Sequence, residues 1–179
     1  GLVGSEMCIR DRDIVVTIQP DQHYLRKDIY PLSGISNSQT IHCNENGYYS
    51  VYQSDRYGFN NPNDEWQSLD FEYVLVGDSF VHGACVNRPH DISSVIRNLS
   101  NKSTLNLGYE GNGPLLEYAT LREYLPNKTK KILWFYYEGN DLFFLDYEFT
   151  NPITKKYFID KDFSQELKSK QNIIDKVLM

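Results

Sequence analysis

The chain has 179 residues and a formal charge of −6, with 40% hydrophobic and 23% charged residues. This is globular composition; it excludes a disordered acidic tail, and the charge is wrong for a protein that coats nucleic acid. No run of about 18 apolar residues occurs, so no transmembrane helix and no membrane contact is expected within these residues. Aromatic side chains are abundant, with 14 Tyr, 9 Phe and 2 Trp.

In chain order, Gly1 to Arg12 (GLVGSEMCIRDR) resembles the translation of a sequencing adapter and is set apart from the fold. That removes Cys8 and leaves Cys43 and Cys85. These two are read as partly buried free thiols, with one disulfide as the alternative in an oxidising compartment. Residues 13–70 read as an irregular N-terminal extension. Ile14-Val-Val-Thr-Ile18 and Gly47-Tyr-Tyr-Ser-Val-Tyr52 have strand character. Tyr57 to Asp64 is dense in turn formers, and Asp55, Asn60 and Asn61 are expected on a solvated loop. His42 beside Cys43 supplies two ligands, too few for a metal.

From residue 71 the pattern sharpens. Tyr73 to Gly77 fits a strand buried on both faces. Ile92, Val95, Ile96 and Leu99 form one apolar helical face. Thr104 to Leu107 is a second strand. Pro114 opens a helix over 115–125 at a position where its missing N–H costs nothing. Ile132 to Tyr137 reads as a third buried strand, and 164–178 as a helix with Leu167, Ile173, Ile174 and Val177 facing the core. The β-α-β-α-β order implies a parallel sheet covered by helices. The C-terminus stops inside an apparent helix without a Gly or Pro stop signal, so truncation is expected at both ends.

Three polar clusters follow the three strands: Gly77-Asp78-Ser79, Gly108 to Gly113, and Glu138-Gly139-Asn140-Asp141. In an open parallel sheet, functional groups gather at the C-terminal strand ends. Each cluster alone could be a turn, and Ser79 alone a helix N-cap. Together they fit acyl transfer, with a Ser hydroxyl, backbone N–H groups and an Asn amide converging on an oxyanion. Glu138 and Asp141 could mimic a glycosidase pair, but their spacing fits turn and N-cap roles better.

Val74-Leu-Val-Gly-Asp-Ser-Phe80 resembles the first block of the SGNH/GDSL hydrolase superfamily. Asn106-Leu-Gly-Tyr-Glu-Gly111 is similar to its second block, and Glu138-Gly-Asn-Asp141 to its third. The resemblance implies a flavodoxin-like three-layer α/β/α sandwich with a central parallel sheet over 71–179. It implies Ser79 as nucleophile, Gly111 and Asn140 as oxyanion donors, and Asp78 as a brace for the nucleophile turn. Glu138 departs from the family's Gly and adds a possible substrate contact. His82, one turn after Ser79, is assigned to solvent or a substrate wall. The implied function is a serine esterase or O-acyltransferase acting on acyl, notably acetyl, esters of a small molecule or carbohydrate, with no metal or organic cofactor and an exported or envelope location. The family's Asp-x-x-His block is absent; the expected explanation is that it lies beyond Met179, which would leave these residues inactive. The alternative is a non-catalytic glycan-binding or polysaccharide-assembly module on the same scaffold. Neither Gly-x-Gly-x-x-Gly nor Gly-x4-Gly-Lys-Ser/Thr occurs, which argues against a nucleotide site.

Overall fold

The computed structural model describes residues 14–16, 28–45 and 47–179. The adapter-like segment and the second half of the first strand expectation lie outside them. The chain is mixed α/β, with a small parallel sheet and helices.

The extension forms a three-stranded sheet. β1 (Ile14–Val16) runs parallel to β2 (Gln39–Ile41), which pairs antiparallel with β3 (Val51–Gln53). A 3-10 helix (Asn63–Gln67) follows. The second sheet is all parallel, in the order β5 (Thr104–Asn106), β4 (Phe71–Val76), β6 (Thr129–Trp134). β4 is central, and Val74, Leu75 and Val76 have no exposed surface. Its register sets Leu75 opposite Asn106 on one side and Leu133 on the other. The helices are α1 (Ser79–His82), α2 (Ile92–Ser100), α3 (Pro114–Tyr124), α4 (Asp141–Glu148), α5 (Pro152–Ile159) and α6 (Gln171–Leu178). One apolar core joins Ile29, Leu32 and Phe59 of the extension to Val74, Leu105 and Leu116, and to Leu167 and Ile174.

Four expectations are corrected. Asp55, Asn60 and Asn61 are buried rather than solvated. The backbone donors of this turn-rich stretch have no strand partner, and Asp55 supplies one. Its carboxylate accepts from the Tyr57 and Phe59 N–H groups, Asn61 Nδ2 and Trp66 Nε1, at 2.7–3.0 Å. Asn61 in turn exchanges two 2.8 Å bonds with the backbone of Asn106. The third strand begins at Thr129, earlier than expected, and is not buried. Among the described residues it pairs only with β4, so Ile132 and Trp134 are exposed, as are Tyr136 and Tyr137 beyond it. In α2, Val95 and Leu99 face outward, while Ser93 and Ser94 are buried. The inward face is polar because Arg97 lies there, donating to Thr104 O (2.8 Å) and pairing with Glu65 (3.0 Å). The C-terminal helix is two pieces, a 3-10 turn at Leu167–Lys170 and then α6, which leaves Ile173 partly exposed.

Removing the Asp55 carboxylate leaves several buried donors without an acceptor, each costing about 1–3 kcal/mol. Asp55→Ala is expected to lower unfolding stability by about 3 kcal/mol or more in urea denaturation. Asp55→Ala at wild-type stability would contradict this reading.

Candidate functional site

The site is built where the three parallel strands end. β4 runs out at Val76, and Gly77 lets the chain pass closely beneath α1. A Cβ on Gly77 would lie 2.5 Å from Val81 Cγ2 and 3.1 Å from Phe135 Cβ. Gly108, just past the end of β5, is equally constrained, since a Cβ there would lie 2.6 Å from the Val81 side chain and 2.7 Å from the His82 backbone nitrogen. Val81 therefore seats α1 between two strand ends, and only glycine fits on either side. Asn106 holds the same turn from below. Its Nδ2 donates to Val81 O (2.6 Å) and its Oδ1 accepts from the Gly108 N–H (2.8 Å).

Asp78 caps α1. Its Oδ1 accepts the Phe80 N–H (2.9 Å), and its backbone carbonyl accepts the His82 N–H (3.0 Å). Burial, with Asp141 nearby, raises its carboxyl above the ordinary range. Ser79 follows, half-buried, its carbonyl accepting from Gly83 (3.1 Å) and Ala84 (2.9 Å). The Ser79 N–H and Oγ make no hydrogen bond among the described residues, as expected of the first residue of a helix.

The second turn is anchored by His82. This is a correction: His82 is neither at solvent nor on a substrate wall, because it has no exposed surface. Its Nδ1 accepts the Glu110 N–H (3.1 Å), so the ring proton sits on Nε2 and is donated to the Tyr52 hydroxyl (2.8 Å). Tyr109 stacks on the ring at 4.8 Å, and the His42 ring lies at 4.2 Å. Burial, and the proximity of His42, hold the His82 imidazole well below the ordinary histidine range. His42 Nε2 reaches the Glu110 carboxylate at 2.7 Å with its side chain almost wholly buried. Glu110 is thus held at both its backbone and its side chain. Gly111 follows with φ +80°, where a side chain would be strained. Its N–H has no partner among the described residues.

The cysteines correct a further expectation. Cys43 and Cys85 are not free thiols; they are bonded to each other, with Cα atoms 5.0 Å apart. The strand pairing that places His42 beside Glu110 also brings Cys43 onto the segment after α1.

The third cluster follows β6. Asn140, not Asp141, is the N-cap of α4. Its carbonyl accepts the Phe144 N–H (3.0 Å), and its Oδ1 is buried without a partner. Its Nδ2 makes no hydrogen bond among the described residues. Asp141 is buried and accepts the Tyr137 N–H at 2.7 Å, while Glu138 is exposed on the loop. The aromatic rings of Phe80 and Tyr137 meet edge-on at 5.3 Å and, with Asp78, Ile92, Phe135 and Tyr136, line a cleft of about 300 Å³.

A belt of carboxyl groups supports this end of the sheet. Glu148 reaches from α4 to cap α3, accepting from Gly113 (2.6 Å) and Leu115 (2.9 Å), and burial raises it to about 7. Glu117 accepts from Trp134 Nε1 (2.5 Å), and burial raises it to about 8, with Asp141, Asp78 and Glu148 adding to the effect. Asn112 is fully buried with both side-chain polar atoms unpartnered. Among the described residues no group of three or more His, Cys, Asp or Glu could hold a metal ion, and no helix is long and apolar enough to cross a membrane.

Comparison with protein-family models, curated proteins and solved structures gives no match. The sequence blocks point to Ser79, Gly111 and Asn140 but not to Tyr52, His42 or Glu117. His42 and Glu110 are 68 residues apart and share no local pattern. The second block also contains supporting residues, Asn106, Gly108, Tyr109 and Glu110.

Between the ordinary value of 4.5 and about 8, the unfolded chain releases the Glu117 proton that the folded chain keeps. Stability therefore falls as pH rises through this window. Glu117→Gln keeps an acceptor for Trp134 and is expected to match wild type near pH 4.5. At pH 8 it should be more stable, on the order of 1–3 kcal/mol. Thermal melts across pH check this; identical pH dependence in both proteins would contradict it.

Proposed function

We propose that the chain carries the nucleophile and oxyanion donors of a serine esterase or O-acyltransferase of the SGNH type, on a flavodoxin-like scaffold. One observation supports this above the rest. The donors that the resemblance assigns to the oxyanion, the Ser79 and Gly111 N–H groups and Asn140 Nδ2, are all uncommitted. They follow three neighbouring parallel strands, with Ser79 on the central one. Donors held without internal partners are preorganised for charge that develops on a reacting carbonyl.

In this scheme Ser79 Oγ attacks the acyl carbonyl and its proton passes to the imidazole of an Asp-x-x-His block, which these residues do not contain. His42 and His82 do not serve, because both are buried and bonded elsewhere. The tetrahedral oxyanion accepts from Ser79, Gly111 and Asn140. Collapse expels the alcohol, and water or a sugar hydroxyl then takes the acyl group from Ser79. The neutral state of Glu117 near pH 7 limits repulsion of that oxyanion. The exposed Phe80, Tyr136 and Tyr137 suit a sugar ring or acyl chain beside the nucleophile. The Cys43–Cys85 bond fits an oxidising compartment.

A second reading rests on a different observation. Neither His42 nor His82 is available as a base for Ser79, and a non-catalytic glycan-binding module needs none. Its aromatic cleft is the same.

Turnover of an acetylated carbohydrate by the full-length protein separates the two. On the esterase reading, Ser79→Ala loses at least about 10³-fold in rate. Asn140→Ala loses roughly 10²–10³-fold. Turnover that Ser79→Ala leaves unchanged overturns the mechanism. Saturable glycan binding without turnover, lost in Tyr137→Ala, establishes the second reading instead.

A further inference from the structure

The molecule has a second, larger cleft, of about 580 Å³, whose lining is set by β3, the Asn61–Asn63 stretch, the segment after α1, and α2. This size falls within the range of small-ligand sites. Its lining is unusual for a chain of charge −6: it contains Arg88 and Arg97 and no carboxylate.

The two guanidiniums differ in their commitments. Arg97 is fixed in place, donating to Thr104 O (2.8 Å), Asn61 Oδ1 (2.9 Å) and Ser94 Oγ (3.3 Å), and pairing with Glu65 (3.0 Å). Arg88 makes one hydrogen bond, from Nη2 to Gln53 O (2.7 Å), and no salt bridge to any carboxylate among the described residues. The acids that act on it electrostatically are Asp91, whose Oδ2 is buried without a hydrogen-bond partner, and Asp55; neither forms a salt bridge with it among the described residues. Asp91 caps α2, accepting from Ser93 Oγ (2.5 Å) and Ser94 N (3.0 Å), and Asp55 serves its own turn. Burial lowers the Arg88 guanidinium below its ordinary range. A half-buried cation without a counterion is costly unless something supplies one. The side-chain amides of Gln53 and Asn98, which also line the cleft, make no hydrogen bond among the described residues.

We infer that this cleft binds a sugar-sized ligand bearing an oxyanion, a carboxylate or a phosphate, which Arg88 takes in its planar fork while Gln53 and Asn98 bond the neighbouring hydroxyls. Arg fits both anions because parallel N–H donors match two oxygens. Arg97 also lines the cleft, its charge already met by Glu65. The site is separate from Ser79 and stands whether or not Ser79 is a nucleophile.

Isothermal titration of the chain with an oligogalacturonate, with inorganic phosphate and with a neutral malto-oligosaccharide tests it. Saturable binding of an anionic probe is expected, and none of the neutral one. Binding of the oligogalacturonate alone assigns a carboxylated sugar; binding of phosphate alone assigns a phosphoryl group. Two variants accompany the titrations. Arg88→Gln removes the charge, and Asn98→Asp sets a negative charge on the rim without breaking any hydrogen bond of the fold. Each is expected to weaken binding about tenfold or more. Asn98→Asp should keep the wild-type melting temperature, which separates lost binding from lost folding. Absence of saturable binding for both anions, or affinities that both variants leave unchanged, overturns the assignment.

Discussion

A neutral imidazole with no access to water holds the arrangement together. His82 has one acceptor and one donor, and each is used on a different part of the chain: Nδ1 on the Glu110 N–H, Nε2 on the Tyr52 hydroxyl. Because the ring is buried, its charged form is disfavoured and this polarity is fixed. The consequence is mechanical. α1, which begins at Ser79, the turn that carries Gly111, and β3 of the extension all meet at one side chain. His42 repeats the link through the Glu110 carboxylate, and the Cys43–Cys85 bond closes the extension onto the segment after α1.

The glycines complete what the imidazole begins. Gly77 and Gly108 allow Val81 to sink between two strand ends, and Asn106 bonds the carbonyl of Val81 from the strand side. Side-chain bulk at either glycine would lift α1, and with it Ser79. Below this layer the carboxyl groups of Glu117, Glu148 and Asp141 do structural work, accepting from Trp134, from the start of α3 and from Tyr137. Burial raises the protonation range of all three.

Local patterns carry part of this and not the rest. The apolar run ending at Val76 and the proline before Leu115 mark β4 and α3 because each element's burial follows from its own residues. The face of α2 does not, since Ile92, Val95, Ile96 and Leu99 read as core. Arg97 overrides that periodicity by finding acceptors at Thr104, Asn61 and Glu65. Ile132 and Trp134 read as buried for the same local reason, yet an edge strand with one partner exposes them. Ser79, Gly111 and Asn140 are picked out as candidates because residues of their types follow the strand ends in order. Tyr52 and His42 are not, since nothing in the sequence near a tyrosine at 52 announces a partner 30 residues on. Asp55 reads as a loop residue because turn formers surround it, and those same turns leave the donors that bury it.

The extension is therefore part of the site's construction and not an appendage to the sheet. The central claim is that His82 is held neutral, with its proton on Nε2, as the joint between the extension and the Gly111 turn. Nitrogen-15 NMR of the histidine rings across pH 5 to 8 tests it most directly. The account predicts a His82 signal of the Nε2–H tautomer that stays neutral where an ordinary histidine becomes charged. A His82 ring that titrates near the ordinary histidine value, or carries its proton on Nδ1, would contradict it.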